Sequence, residues 1–521
     1  MIVTDMKKIF YLISAAAVIF AACTNLDEQI YSKMQKDEFL SDDANLARYT
    51  SRPYTLLQKW GVEQSMWTLI LQLSDEVAVP KSYDGSWGEP RYGELQTHAI
   101  PASNKLVRTA WEFCFNGIAA CNDAIYALEN SGELTDAKKK SISEIKVLRA
   151  YYYLMATDCW GQVPYSVDKM ETDYPKTKTR QEIIPWIVSE INGNIARLDE
   201  VPSVETYGRV TKDMANFLLA KIYLNYQEWM GTAKWGEVEN ICKGIIDSKH
   251  FSLTADYKEN FAIHNEGSTE AIFAVAHSSI YTKEAFYPFA ITLNADLQKI
   301  WKIGDTWNGT FMGQPDFMAT YDPKDTRKAA SWLFGQVYDT NGKQWTYVSG
   351  NDEQGKPIVL PYILEDVNID ESKYVNGLSR LDGARIIKWP YQSDGTLTSY
   401  QISMENDFIL MRYADVVLMY VEALVRQNRA AEAAAVEDFK TIRTRAGLQP
   451  MTAADLTLDN LLLERQHELC MEGWSRQDLI RFGKYTRQWW AKPACDDHVK
   501  LLPIPEQMRG ANPNLGQNLG Y

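Results

Sequence analysis

The sequence predicts a mainly α fold: a scaffold of paired antiparallel helices carrying an irregular, loop-rich region with short β-strands. Three observations predict it. Apolar residues recur every three and four positions over long stretches, the helix pairs approximate the ~34-residue tetratricopeptide period, and the texture changes between Phe251 and Asn406. From Asn104 to Leu128 the pattern is Leu106, Ala110, Phe113, Gly117, Ala120, Ala124 and Leu128, which makes one buried helix face. Ile142, Ile145, Leu148, Tyr152 and Met155 repeat it until Gly161 and Pro164 stop the helix. Further pairs run Met214 to Tyr226 then Trp235 to Ile246, and Phe408 to Leu424 then Ala431 to Ile442, with Gly447 as a C-terminal cap. Ala215, Ala220, Ala414 and Ala423 are small residues where two helices must approach closely. Between Phe251 and Asn406, Gly, Asp, Asn and Thr multiply, and β-like runs occur at Ala271 to Ala276, Gln344 to Val348 and Ala384 to Trp389. A second stretch, Ser74 to Ser103, reads as loop and contains Asp75, Tyr83, Trp87, Arg91, Tyr92 and His98; loops this long usually bind something.

Composition narrows the function. A 521-residue chain that is 45% hydrophobic can bury enough surface to fold, and 54 Lys plus Arg against 68 Asp plus Glu leave a charge of −14 that disfavours nucleic acid. No apolar run reaches the roughly 18 to 20 residues that span a bilayer, so a membrane link must be an anchor. The N-terminus supplies one. Lys7-Lys8 precede the apolar run Ile9 to Ala22, and Phe20-Ala21-Ala22-Cys23 has the layout of a lipobox, with Phe20 looser than the usual Leu. This predicts a lipoprotein signal over residues 1–22 and acylation of Cys23. Beyond it we expect a helical scaffold over 23–250, a loop-rich region with the ligand site over 251–404, and C-terminal helices over 405–521 packing back on the scaffold. The other six cysteines form no CxxC pair and read as core thiols, and no ligand spacing points to a metal.

Catalytic signatures are missing. There is no HExxH, GxSxG or GxGxxG. Gly350 to Lys356 fits a phosphate-loop spacing, but Pro357 stands where Ser or Thr should follow and Asp352-Glu353 would repel phosphate, so it reads as a polar turn. Glu464-Arg465-Gln466-His467 resembles half of a helical di-metal motif without its second copy. Glu464, Glu468 and Glu472 read instead as a solvated helix face paired with Arg465, Arg476 and Arg481.

What remains distinctive is an aromatic load in the loops: Tyr281, Phe286, Tyr287, Phe289, Trp301, Trp307, Phe311, Trp332, Tyr338, Trp345 and Tyr347, besides Tyr83, Trp87 and Tyr92. Aromatic faces stack on the CH faces of sugar rings while Asp, Asn, Arg and Gln bond hydroxyls, so the ensemble suits carbohydrate. Loop-to-scaffold packing is the alternative for each ring taken singly.

Several segments resemble the SusD/RagB outer-membrane lipoproteins of Bacteroidetes. They are Cys23-Thr24-Asn25-Leu26-Asp27-Glu28, similar to a surface-export signal; Trp111 to Asn122; Leu148-Arg149-Ala150-Tyr151-Tyr152-Tyr153 running to Trp160-Gly161-Gln162-Val163-Pro164; Met411-Arg412-Tyr413-Ala414-Asp415 running to Glu422-Ala423; Glu464-Arg465, Glu468-Leu469, Glu472-Gly473 and Asp478-Leu479; and Leu502-Pro503-Ile504-Pro505, Asn512-Pro513 and Gln517 to Tyr521, where Leu519 replaces the usual Pro. The resemblance spans nearly the whole chain. It implies a non-enzymatic, cofactor-free protein at the cell exterior that binds an oligo- or polysaccharide and caps a SusC-like TonB-dependent transporter. The family's binding residues lie in variable loops, so the candidates here rest on loop position and chemistry: Tyr83, Trp87, Arg91, Tyr287, Trp301 and Trp307. Two rivals predict otherwise. A helical glycoside hydrolase or polysaccharide lyase would use paired carboxylates such as Asp75-Glu76, and a purely protein-binding tetratricopeptide scaffold would ignore glycans.

Overall fold

The spacing of apolar residues is answered by two sets of packed helices. In the computed structural model, which describes residues 42–521 apart from 63, 83–89, 169–172, 283–287, 303–308, 310 and 392–403, helix Lys105–Glu129 lies along Asp136–Trp160, which lies along Arg180–Asn194. Each begins at a residue suited to hold free backbone amides: Asn104 Oδ1 accepts from Leu106 N at 2.9 Å, Thr135 accepts from Lys138 N, and Thr179 forms a capping box with Glu182. Gly161 takes φ 71° at the end of the second helix. Gly117 faces Tyr152 so closely that a Cβ would overlap the phenol ring, so glycine sets the approach of the first two helices. The second set packs both Lys212–Leu224 and Tyr413–Arg426 against Trp235–Ser248 and against each other, with Ala215, Ala220, Ala414 and Ala423 all buried. By contact density the chain divides into Met1–Ala47 and Arg48–Tyr521, and these helices belong to the second unit. In the first, the described residues open helix Asp43–Thr50.

About half of the chain is helical, and among the described residues the strands form six two-stranded antiparallel sheets. The three β-like runs overlap strands Ala271–Val275, Thr346–Asn351 and Arg385–Ile386. Two helical expectations fail locally. Phe408–Arg412 is not the start of a helix but a strand, paired with Ala271–Val275 in the register Phe408↔Val275 and Arg412↔Ala271, because all five of its side chains are buried and helical periodicity does not apply. The helix starts at Tyr413, whose amide donates to the Glu270 carbonyl at 2.9 Å. The run Ala431 to Ile442 is broken at Val436 into Ala430–Ala435 and Glu437–Arg445. Nor is Ser74 to Ser103 all loop: Val77–Ala78 pairs with Met312–Gly313, Pro90–Gln96 is helical, and Asp75, Tyr92 and His98 are buried.

The largest correction concerns charge. Glu464, Glu468 and Glu472 are buried, not solvated, and their partners come from distant segments. Arg412 donates to Glu270 at 2.9 Å, Glu468 at 2.7 Å and Glu472 at 2.9 Å, every side chain at most 2% exposed. Arg327 joins Asp325, Glu464 and Glu468, Arg445 joins Glu270 and Glu468, Lys388 reaches Glu472 at 2.8 Å, and Arg443 pairs with Glu464. Five cations thus meet five carboxylates. A second cluster links Arg465 to Asp478 at 2.8 Å and Asp415 at 3.0 Å, Arg481 to Glu422 at 2.7 Å and Asp478 at 2.7 Å, and Lys221 to Asp415 at 2.6 Å. Burial alone would push Glu468 up, but Arg445, Arg412 and Arg327 together hold it down at about 2, and Arg481, Arg426 and Arg465 likewise hold Glu422 near about 2 against its burial. Cys114, Cys121, Cys159, Cys242 and Cys470 are buried free thiols, and Cys495 is half-buried.

Candidate functional site

The loop aromatics separate into core and rim. Tyr92, Phe289, Phe311 and Trp332 are fully buried, Trp301, Trp345 and Tyr347 are half-buried, and Tyr281 and Tyr338 are exposed. Of the six candidates, Arg91 and Trp301 are described; Tyr83, Trp87, Tyr287 and Trp307 lie outside the described residues, as does Cys23.

Trp301 closes the short helix Ala295–Trp301. Asn294 starts that helix, accepting from Leu297 N at 3.0 Å, while its amide donates to the Tyr362 hydroxyl at 2.9 Å and the Arg380 carbonyl at 3.2 Å. Lys302 then turns the chain at φ 54°, and Gly309, at φ 51°, returns so close to Leu293 and Asn294 that a Cβ would overlap their backbone. Phe289 meets the Trp301 ring edge-on at 5.1 Å and 89°, and Tyr391 stacks on Phe289 at 5.8 Å and 18°.

Arg91 belongs to the same assembly. It stands on helix Pro90–Gln96 with its guanidinium 5.3 Å from the Tyr92 ring centre, and its carbonyl accepts from Asn104 Nδ2 at 3.0 Å. Tyr92 meets Phe311 edge-on at 5.6 Å, and the Phe311 carbonyl accepts from Thr292 Oγ1 at 2.7 Å, on the helix Pro288–Thr292 that carries Phe289. A continuous chain of contacts therefore runs from Arg91 to Trp301. Arg91, Phe289, Trp301 and Tyr391 each stand within two residues of one of the segments 83–89, 283–287, 303–308 and 392–403. Sequence reasoning missed Tyr391 and Asn294. The signal for Asn294 was its place before Ala295-Asp296-Leu297, a helix-start pattern.

Charge near the cluster is partly compensated. Arg380 donates to Asp296 at 2.9 Å and lies 5.4 Å from the Tyr347 ring centre. Burial pushes the Tyr362 hydroxyl up to about 12. Arg385 is buried, donates from Nη2 to the Asp382 carbonyl at 2.8 Å, and leaves Nε and Nη1 without partners; burial lowers its pKa. The carboxylate pair that a hydrolase would need is committed to the core: Asp75 accepts from Gln466 at 2.6 Å and Arg487 at 2.7 Å, and Glu76 accepts from Met471 N at 3.0 Å. Burial raises Asp75 and lifts Glu76 to about 8.

Comparison with known proteins follows this architecture. A family model described as the SusD family matches residues 249–521, and one described as "Starch-binding associating with outer membrane" matches residues 24–224. The chain is 25% identical over 460 residues to the starch-binding protein SusD of Bacteroides thetaiotaomicron, covering 82% of this chain and 81% of that protein. It is 23% identical over 496 residues to a SusD-like protein of Bacteroides ovatus, covering 92% and 83%. Among solved structures, the surface glycan-binding protein A of Bacteroides thetaiotaomicron in complex with laminarihexaose shares the fold at TM-score 0.72 with 20% identity, covering 91% of this chain and 99% of that one. A laminarin-binding SusD-like protein matches at TM-score 0.70 with 19% identity, covering 92% and 99%. With one model accounting for the chain from residue 249 to its last residue, the protein belongs to the SusD family, a family of outer-membrane-associated carbohydrate-binding proteins and not of enzymes.

Proposed function

We propose that this protein is a cell-surface lipoprotein, anchored through Cys23, that captures an oligo- or polysaccharide on the aromatic cluster of its loop-rich region and delivers it to a SusC-like TonB-dependent transporter for import. The observation that carries the binding half is that the buried rings Tyr92, Phe311 and Phe289 link the half-buried Arg91 and Trp301 into one contact chain on the scaffold. Tyr83, Trp87, Tyr287 and Trp307 fall in or beside the segments that this cluster borders and complete the proposed ring set. The division into scaffold (23–250), ligand-bearing region (251–404) and returning helices (405–521) is part of the same reading. Supporting it are the family membership and the names of the relatives, which refer to starch, laminarin and surface glycans.

The test is substitution of Trp301. Losing a stacked ring removes about 1 to 2 kcal/mol of contact, so Trp301→Ala should weaken glycan affinity by roughly tenfold in isothermal titration or affinity electrophoresis, with the helical signal unchanged. Wild-type protein that binds no polysaccharide of a broad panel, or that releases reducing ends from one, overturns the reading.

A further inference from the structure

Six thiols lie among the described residues, and their surroundings set one apart. Burial raises Cys114, Cys121, Cys159, Cys242 and Cys470 above the ordinary thiol range and closes them to solvent, which makes them inert. Cys495 is half-buried and follows the exposed residues Pro493 and Ala494. It ends a tight loop. Its amide donates to the Thr486 carbonyl at 3.0 Å, and within that closure Trp489 and Lys492 exchange backbone hydrogen bonds, with Ala491 at φ 54° between them. The loop brings two further groups to the sulfur. Lys492 Nζ lies 3.4 Å from Sγ, and His98 Nδ1 lies 3.8 Å from it, on a ring that is 3% exposed and whose Nε2 has no hydrogen-bond partner. Burial keeps that ring neutral. Lys492 is itself 2% exposed; it donates to the carbonyls of Arg487 at 2.8 Å and Pro493 at 3.3 Å, sits 4.0 Å from the Trp489 ring centre, and forms no ion pair with a carboxylate among the described residues. Burial lowers its pKa, with the Cys495 sulfur opposing, and the uncharged amine so favoured is the nucleophilic form.

An oxidisable sulfur that solvent reaches from one side therefore has a nucleophilic amine within side-chain reach on the other. We propose that Cys495 and Lys492 form a peroxide-driven covalent switch, in which the oxidised Cys495 sulfur is captured by the Lys492 amine as a sulfenamide, an S–N bond. The steps balance. Sγ attacks one oxygen of hydrogen peroxide; an S–O bond forms, the O–O bond breaks, sulfur gives up two electrons, and the released hydroxide takes the thiol proton to leave as water. The Lys492 nitrogen lone pair then attacks Sγ of the sulfenic acid; the S–N bond forms, the S–O bond breaks, and hydroxide leaves as water with a proton from nitrogen. This caps the sulfur before a second peroxide can carry it to the irreversible sulfinic acid. Two equivalents of an external thiol reopen the bond, returning thiol and amine and leaving as a disulfide.

The experiment treats the full chain with a slight excess of hydrogen peroxide, alkylates it under denaturing conditions and sequences the tryptic peptide 488–500 by mass spectrometry. That peptide should be two hydrogens lighter, carry no alkyl group, resist fragmentation between 492 and 495, and return to its original mass with dithiothreitol. Lys492→Arg keeps the positive charge but lacks the nucleophilic amine. It should accumulate sulfenic acid that dimedone traps at severalfold the wild-type yield, and then pass on to sulfinic acid. The mass of the wild-type peptide does not depend on how that variant folds. A Cys495 that stays alkylatable, a peptide that has gained oxygen, a disulfide to another thiol, a wild type that dimedone labels as fully as the variant, or a two-hydrogen loss that Lys492→Arg retains each overturns the bridge.

Discussion

Arg412→Met should destabilise the protein by about 3 to 5 kcal/mol near neutral pH, the usual cost of removing one partner from a buried ion cluster. The geometry makes that figure specific. The guanidinium touches three carboxylates, Glu270, Glu468 and Glu472, at 2.9, 2.7 and 2.9 Å, and also donates to the Glu468 carbonyl at 2.8 Å. Arg327, Arg445, Arg443 and Lys388 remain, so five carboxylates face four cations and one negative charge is orphaned in a buried place. Methionine fills much of the volume, so the loss is mainly electrostatic. At ~2 cal/mol/K per residue, unfolding the long second unit carries an entropy near 1 kcal/mol/K, and the melting temperature should fall by about 3 to 5 °C in scanning calorimetry. The pH dependence separates charge from packing. Glu468 is held below its ordinary range in the fold, so its contribution is complete above roughly pH 4.5 and is lost as pH falls towards about 2. In the variant the orphaned acid can be neutralised by a proton, so the gap from wild type should narrow as pH drops from 7.5 towards 4.5. A gap under about 1 kcal/mol at pH 7.5, or one that does not change with pH, would refute the charge-balance argument.

Arg385→Met should act in the opposite sense, leaving stability unchanged or raising it, because this buried guanidinium has a single carbonyl hydrogen-bond partner and no carboxylate in ion-pair contact; a fall in melting temperature like that of Arg412→Met would contradict this. Glu76→Gln should remove a pH dependence: burial keeps the folded carboxyl protonated to about 8 while the unfolded one ionises near its ordinary 4.5, so wild type should lose roughly 1 kcal/mol per pH unit relative to the variant between those values, and parallel melting curves from pH 5 to 8 would count against it. Gly309→Ala should cost several kcal/mol and weaken glycan binding, since both its φ of 51° and its contact with the Leu293–Asn294 backbone exclude a side chain; a variant with wild-type melting and affinity would show that the turn is not fixed.

Much of the scaffold was legible because its cues are local. Apolar spacing, Asn104 at a helix start and Gly161 at a helix end lie within a few residues of what they specify. The misreadings of the charged face and of one strand are non-local. Glu464, Glu468 and Glu472 look like an exposed face until Arg327, Arg412 and Arg445 are brought over them, and those partners are 137, 56 and 23 residues away along the chain. Phe408–Arg412 reads as a helix start until Ala271–Val275 is known to lie beside it. The aromatic list is indiscriminate in position. Tyr92, Phe289, Phe311 and Trp332 serve the core while Trp301 reaches the rim, and nothing in the residue type distinguishes them.

The segments that carry the family resemblance and the residues proposed to bind ligand are nearly disjoint, and the structure gives the reason. Arg412, Asp415, Glu422, Glu464, Arg465, Glu468, Glu472 and Asp478 are all consumed by the two buried ion clusters, where each guanidinium fixes the register of a helix or strand against carboxylates from others. Such a cluster tolerates little sliding, because a shift of one residue would set a charge against an apolar neighbour. The aromatic cluster hangs from the same framework. Ile386 N donates to Thr292 Oγ1 at 2.9 Å, and two residues further on Lys388 enters the ion cluster at Glu472. If the proposed site is right, rings whose support is held this firmly would lose little freedom when a sugar docks, so affinity could come from a few contacts. The ligand can then be changed by replacing loop rings, with the charged scaffold beneath left as it is.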